Sequence, residues 1–138
     1  MFQTRAGKQE KTAATTRAAI GELIVQDYAG VIVATIGRPS LLESRDFDAI
    51  ARNLDALVSE QAKRKLVIDF TNVRQLSSQS IGMLLNLNNQ AKSIDGTIAL
   101  CGIRGPVARL FELTKLDAIF KIFKDDAAAL ASFGVHVT

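Results

Sequence analysis

Short runs of β-branched and other apolar residues alternate along this chain with stretches in which apolar residues recur every three or four positions. Residues 31–36 and 65–70 are two such runs, and each has the length and composition of a strand buried inside a sheet. Between them, apolar residues fall on one face of a predicted helix: Phe47, Ile50, Ala51, Leu54, Leu57 and Val58. Strands that alternate with amphipathic helices predict a sheet with helices packed on it.

The alternation extends toward both ends of the chain. Residues 23–25 predict a strand that a short turn at residues 28–30 joins to the strand at residues 31–36. Residues 40–43 read Ser-Leu-Leu-Glu, which is a capping-box pattern and predicts that the first helix begins after Ser40. A second helix is predicted from Gln79 to Lys92, with four residues facing inward: Ile81, Leu84, Leu87 and Ala91.

The last third of the chain predicts two more strands and two more helices. The strands are expected at residues 97–100 and 117–120. Pro106 fits the first turn of a third helix, and Asp125 or Asp126 can cap a fourth that extends to Phe133. The third helix is expected to turn four residues inward: Val107, Leu110, Phe111 and Leu113. The predicted fold class is therefore α/β, with a mixed sheet of four to five strands and four helices.

Charge is distributed unevenly. Residues 1–20 hold four basic side chains and one acidic one, which accounts for the whole net charge of +3. We therefore expect residues 1–20 to be a flexible leader and residues 21–138 to be the folded domain. Because the domain itself is neutral, binding to nucleic acid is not predicted.

Composition excludes several further classes of protein. Hydrophobic residues make up 48% of the 138 residues and charged residues 22%, as in an ordinary globular protein with one core. No apolar run approaches the ~20 residues that span a bilayer, so membrane insertion is not expected. Cys101 is the only cysteine, and the N-terminus lacks the apolar stretch of a signal peptide. A cytoplasmic protein without disulfides is therefore expected.

The turn Leu76-Ser77-Ser78-Gln79-Ser80 precedes the second predicted helix. Serine at a helix N-terminus is commonly an N-cap, which hydrogen-bonds a free backbone N–H group. A serine there also lies where a kinase can reach it, and the helix dipole and free N–H groups tolerate a phosphate. Capping and phosphorylation are both open for these serines, and one residue could do both.

Residues 66–82 read LVIDFTNVRQLSSQSIG and are the most distinctive stretch. They resemble the STAS domain, the fold of bacterial anti-sigma factor antagonists, and residues 106–116, PVARLFELTKL, are similar to the third helix of that family. The resemblance covers roughly residues 21–135. It implies that Ser78 is phosphorylated by a partner serine kinase that is also an anti-sigma factor. The unmodified protein would bind this kinase and free a sigma factor.

The chain differs from the common family pattern around that serine. The family commonly has Asp-Ser-Ser-Gly or Asp-Ser-x-Gly where this chain has residues 77–80, SSQS. Ser77 and Ser80 are therefore alternative phosphoacceptors. The alternative function is a STAS scaffold that is not phosphorylated, or a subunit of a signalling or transport complex. We expect a partner-binding set beside the turn, although polar helix positions there can also be plain solvated surface: Ser77, Gln79, Gly82, Met83 and Asn86.

The remaining candidates for chemistry favour structural roles. His136 lacks the partners of a metal site or a catalytic triad, and Cys101 follows an apolar strand, as a buried small hydrophobe does. Asp69 ends a strand and is expected to accept hydrogen bonds from nearby loop N–H groups. Gly82 is expected to permit close approach, either of a neighbouring strand or of a partner, and packing inside the domain is the favoured interpretation. We predict no enzyme activity, no cofactor and no metal.

Overall fold

A computed structural model of the chain describes residue 14 and residues 16–59 and 65–136. The strands are β1 (Thr16–Ile20), β2 (Leu23–Tyr28), β3 (Val31–Ile36), β4 (Ser40–Leu41), β5 (Lys65–Asp69), β6 (Gln75–Leu76), β7 (Thr97–Cys101) and β8 (Lys121–Phe123). The helices are α1 (Ser44–Ser59), α2 (Ser78–Ser93), α3 (Pro106–Leu113), a 3₁₀ turn (Leu116–Ala118) and α4 (Asp126–Ser132).

Six strands form the main sheet in the order β1-β2-β3-β5-β7-β8. The first three are joined as antiparallel neighbours, whereas β3, β5, β7 and β8 are parallel. Parallel neighbours need a crossover connection, and α1, α2 and α3 supply these. The short strands β4 and β6 pair in parallel as a separate two-stranded ribbon. The predicted mixed α/β fold with four helices is confirmed, and the main sheet has six strands rather than four to five.

The central strands β3, β5 and β7 are buried on both faces of the sheet. Successive side chains of a strand point to opposite sides, so Ile32 and Leu66 join the cluster beneath α1 and α2, whereas Val33 and Val67 join the cluster with α4. Burial on both sides explains why the central strands are nearly continuous apolar runs. The inward faces predicted for α1 and α2 are confirmed, because every residue assigned to them is buried.

The sheet begins earlier in the chain than the sequence predicts. Thr16–Ile20 pairs with β2 along its whole length, so these residues extend the sheet and are not part of a flexible leader. β1 and β2 form a hairpin, and its turn contains Gly21. Gly21 has a φ of 58°, a conformation that glycine adopts readily. Residues 1–13 of the predicted leader lie outside the described residues, as do residues 15, 137 and 138.

The predicted capping box at Ser40 is wrong. Ser40 and Leu41 pair with Gln75 and Leu76, and α1 begins only at Ser44. The backbone N–H groups of Arg74 and Gln75 also donate to the Pro39 carbonyl oxygen, at 2.7 and 3.2 Å. Pairing with a distant segment therefore determines the conformation of this stretch, and a local sequence pattern cannot reveal such pairing.

Two expectations about the last third of the chain are also wrong. Residues 117–120 do not form a strand, because Lys115 adopts a left-handed conformation and a 3₁₀ turn follows before β8. Leu116 and Phe120 are buried, and their spacing of four residues suits a helical turn. Leu113 is 74% exposed rather than inward. It lies six residues after the buried Val107, well off the buried face of a helix with 3.6 residues per turn.

Candidate functional site

The serine turn is held in place from two directions. It follows β6, which pairs with β4, and it leads directly into α2. The β4–β6 ribbon connects the turn to the segment that precedes α1. Helix α1 in turn packs beside α2. The ribbon and α2 therefore hold the backbone of all three serines in place. Their side chains nevertheless have different surroundings.

Ser77 is the N-cap of α2. Its backbone is extended, with φ −85° and ψ 159°, and its Oγ accepts a hydrogen bond from the Ser80 N–H at 3.3 Å. The Ser77 and Ser80 hydroxyls also lie 3.0 Å apart, within hydrogen-bond distance. Ser77 thus satisfies one of the backbone donors that a helix leaves free at its N-terminus.

Ser80 is fully buried, with 0% of its surface exposed. Its hydroxyl donates to the Leu41 carbonyl oxygen at 3.5 Å, which connects the first turn of α2 to β4. A hydroxyl in this position is enclosed by the fold and is not presented to solvent.

Ser78 is the first residue of α2 and is exposed. Its hydroxyl makes no hydrogen bond with the part of the chain that the structure describes. The first turn of α2 contains no acidic residue, so the positive end of the helix dipole is not neutralised there. Of the three serines, Ser78 is the one whose hydroxyl is both accessible and unused by the fold.

Gly82 and Asn86 lie on the same face of α2 as Ser78, because residues four positions apart are neighbours on a helix. Both are exposed, as is Gln79. A Cβ atom at Gly82 would meet no described atom within 4 Å. The expectation that Gly82 packs inside the domain is therefore wrong, and its missing side chain leaves the surface beside Ser78 open.

Met83 is half-buried and packs against the main core. Together with Asn86 it lines a groove between α1 and α2. The structure places the predicted partner-binding set along the first three turns of α2, with Ser77 at the helix cap, three residues on the exposed surface and Met83 at the edge of the core.

Leu42 is an exposed apolar residue near the turn that the sequence did not single out. It is 52% exposed and directly follows Leu41, whose carbonyl oxygen accepts the Ser80 hydrogen bond. The capping-box interpretation assigned Leu42 to the start of a helix. It therefore did not predict that Leu42 directly follows β4. The sequence shows two successive leucines, and it does not reveal that Leu41 is buried whereas Leu42 is exposed.

Asp69 has the role that its position predicted. It is 7% exposed and accepts hydrogen bonds from the Thr71 N–H at 2.9 Å and from the Thr71 hydroxyl. Gly102 adjoins this loop with φ 71°, and a Cβ there would lie 2.7 Å from an Asp69 carboxylate oxygen. Close approach of β7 to this loop therefore requires glycine, a constraint that the sequence did not reveal.

The other candidates for chemistry take structural positions. Cys101 is fully buried, and burial, together with the nearby Asp69 and Asp126 carboxylates, raises the pKa of its thiol far above the ordinary value. The prediction of a buried small hydrophobe is confirmed. His136 is exposed. Within residues 16–59 and 65–136, no three histidine, cysteine or acidic side chains come together as a metal site. In the same part of the chain, every helix is too short or too polar to cross a membrane.

Comparison with known proteins identifies the family. The sequence-family model of the STAS domain matches residues 24–129 of this chain. The anti-sigma F factor antagonist of Paenibacillus polymyxa is 20% identical over 114 residues, which are 83% of this chain and 96% of that protein.

Solved structures agree with this match. An anti-sigma factor antagonist from Mycobacterium paratuberculosis has a TM-score of 0.70 at 25% identity and covers 80% of this chain and 91% of its own. The phosphorylated form of the Bacillus cell fate determinant SpoIIAA shares the fold, with a TM-score of 0.60 at 11% identity over 86% of this chain and 97% of its own. The family match spans most of the described domain, including the serine turn and α2. This chain belongs to the STAS domain family.

Proposed function

We propose that this protein is a regulatory binding module that acts as an anti-sigma factor antagonist and is switched by phosphorylation of Ser78. The partner would be an anti-sigma factor that is also a serine kinase. The observation that supports this most directly is the difference among the three serines: Ser77 caps α2, Ser80 is buried, and Ser78 is exposed at the helix N-terminus.

Electrostatics support Ser78 as the switch. A phosphate adds about −1.5 to −2 charges at neutral pH. At the N-terminus of α2, the helix dipole and free N–H groups favour such a charge, and the first turn has no acidic side chain that would repel it. The domain would therefore stay folded while the charge of its docking surface changes.

The docking surface that we propose surrounds Ser78. It consists of the predicted partner-binding set on α2, with Leu42 as an apolar contact beside it. Gly82 supports this assignment, because its Cβ position is open and a partner could approach the helix closely there. The names of the similar proteins, which are anti-sigma factor antagonists, favour an anti-sigma factor as the partner. Such an exchange would take place in the cytoplasm, where sigma factors act.

The second candidate function is a STAS scaffold that is never phosphorylated, or a subunit of a signalling or transport complex. It is favoured by residues 77–80, which lack the acid and the glycine that commonly flank the phosphoacceptor in this family. A scaffold would not need an exposed serine, so its binding to a partner would not depend on the charge at position 78.

Phosphate mapping separates the two functions. The protein is incubated with ATP and each serine-kinase anti-sigma factor encoded in the same genome, and phosphopeptides are located by mass spectrometry. We expect phosphate on Ser78 and none on the Ser78→Ala variant, whereas Ser93→Ala, at the other end of α2, is modified like the parent. Absence of phosphate with every such kinase, combined with equal partner binding by Ser78→Ala and Ser78→Asp, would establish the scaffold instead.

A further inference from the structure

An open cavity of about 780 Å³ lies at the carboxyl ends of three parallel strands. Its walls come from the segments that follow them, with Pro39 after β3, Thr71 after β5 and Arg104 after β7. Arg74, which directly precedes the short strand β6, closes another side. We call this space the arginine cavity. Open α/β sheets commonly bind ligands in crevices outside the carboxyl ends of their strands.

The arginine cavity is positively charged and has no compensating acid, because none of the described residues that line it is acidic. The Arg74 guanidinium makes no hydrogen bond or ion pair with the part of the chain that the structure describes. Arg104 donates one N–H to the Thr71 carbonyl oxygen at 3.3 Å. A guanidinium has five N–H donors, so most of them stay available. Pro106 begins α3 at the same wall, and the positive end of this helix adds to the charge.

A partner that docks on Ser78 also covers the arginine cavity. Arg74 precedes Ser78 by four residues, so their Cα atoms are at most about 14 Å apart. A typical protein interface buries about 800 Å² on each partner, which corresponds to a disc of about 16 Å radius. An interface centred on Ser78 would therefore enclose Arg74. Burying a guanidinium without an opposite charge is costly, so the partner has to supply that charge.

We propose that the arginine cavity receives an acidic side chain, aspartate or glutamate, from the anti-sigma factor. The proposal rests on the proposed function, because it requires the partner to dock around Ser78. Arginine pairs with a carboxylate through two parallel hydrogen bonds, which are stronger and more specific in geometry than neutral ones. An anti-sigma factor with a basic or apolar side chain at this position would leave Arg74 unpaired and would be rejected.

Charge reversal at Arg74 tests the pairing. The anti-sigma factor that phosphorylates Ser78 is titrated calorimetrically with the unmodified parent protein and with each variant. Arg74→Glu should raise the dissociation constant about thirtyfold or more, because it removes one member of a charge pair that the interface buries. Arg17→Glu makes the same change of charge at an exposed residue of the edge strand β1 and should leave the dissociation constant nearly unchanged. Circular dichroism should show the same folded domain in both variants.

Cross-linking identifies the group that enters the arginine cavity. Arg74→Lys keeps the positive charge and supplies an amine, which a carbodiimide couples to a carboxylate in contact with it. We expect an amide bond between position 74 and an aspartate or glutamate of the anti-sigma factor, located by mass spectrometry of the cross-linked peptides.

The proposal is overturned if Arg74→Glu and Arg17→Glu bind the anti-sigma factor equally tightly, or if position 74 forms no cross-link. Binding and phosphorylation of the parent protein would then still support the proposed function. Inorganic phosphate that shifts the NMR resonances of Arg74 and Arg104, combined with an unchanged dissociation constant in Arg74→Glu, would make the cavity a small-anion site instead. A parent protein that neither binds nor is phosphorylated would overturn the proposed function and this inference together.

Discussion

At the scale of single residues, three serines within four positions do three different things. Ser77 holds the helix N-terminus, Ser80 connects α2 to β4, and Ser78 does neither. All three belong to one short stretch, and the residue types alone do not separate their roles. The difference comes from helix geometry, which turns the third residue of the first turn toward the ribbon and the first residue toward solvent.

The capping serine and the proposed switch serine should differ in their effects on stability. Ser77→Ala removes the cap and should lower the free energy of unfolding by about 1 kcal/mol. Ser78→Ala changes an exposed side chain and should alter it by less than about 0.5 kcal/mol. Urea denaturation followed by circular dichroism measures both. A larger loss in Ser78→Ala than in Ser77→Ala would show that Ser78 has a structural role.

Two glycines give opposite predictions for one substitution. At Gly82 the added methyl group meets open space, so Gly82→Ala should stabilise the protein by about 0.5–1 kcal/mol through better helix propensity. At Gly102 the backbone is left-handed and Asp69 and Thr71 crowd the new atom, so Gly102→Ala should destabilise by about 2–4 kcal/mol. Thermal unfolding of both variants checks the contrast. Equal shifts in Tm would contradict the packing described around Gly102.

At the scale of elements, periodicity was a reliable guide where a helix packs on the sheet. It predicted α1 and α2 with their buried faces, because apolar spacing reports directly on which side is covered. It failed for β1 and for the β4–β6 ribbon. β1 exists through its hairpin with the adjacent β2, and the ribbon exists through pairing with a distant segment. Neither kind of pairing appears as apolar periodicity in the paired residues.

The candidate site, like the fold, was predicted from the sequence only in part. The sequence located the serine turn at the start of α2, and the resemblance selected Ser78. Neither could show that Ser80 is buried or that Gly82 faces open space, because both facts depend on where β4 and the helix axis lie in three dimensions. Leu42 was missed for the same reason.

The open surface of α2 predicts that bulk at Gly82 will block the partner without unfolding the domain. Gly82→Gln places a side chain beside Ser78, so phosphorylation and partner affinity should each fall about tenfold or more, since steric exclusion at the centre of an interface is costly. Stability should be kept, because the position is exposed. Asn89→Gln, two turns farther along α2, is the control. If both variants bound the partner as tightly as the parent, this part of α2 would not belong to the docking surface.

At the scale of the whole molecule, helices cover both faces of the central strands, and Cys101 lies in the cluster that α4 covers. Its thiol should therefore react with a thiol reagent about a thousandfold more slowly in the folded than in the unfolded protein at pH 8, because labelling requires opening of the core. Mass spectrometry of alkylated protein with and without denaturant measures this. Rapid labelling of the folded protein would show that the α4 side of the sheet is open.

The same thiol makes stability depend on pH. Burial raises the pKa of Cys101 in the folded state, so above the ordinary value of 9.0 the unfolded chain loses this proton first. Unfolding then releases a proton, and the free energy of unfolding should fall as the pH rises further. Cys101→Ala should lose this contribution, seen as a shallower decline between pH 9 and 11 in urea titrations. An equally steep decline in the variant would mean that other groups cause it.

In the proposed switch, the charge on the exposed Ser78 controls partner binding while the rest of the surface stays unchanged. The most direct measurement is calorimetric titration of one anti-sigma factor with unmodified protein and with protein phosphorylated at Ser78. We predict a dissociation constant at least tenfold higher for the phosphorylated form, while circular dichroism shows the same folded domain in both. Equal dissociation constants for the two forms would contradict the account.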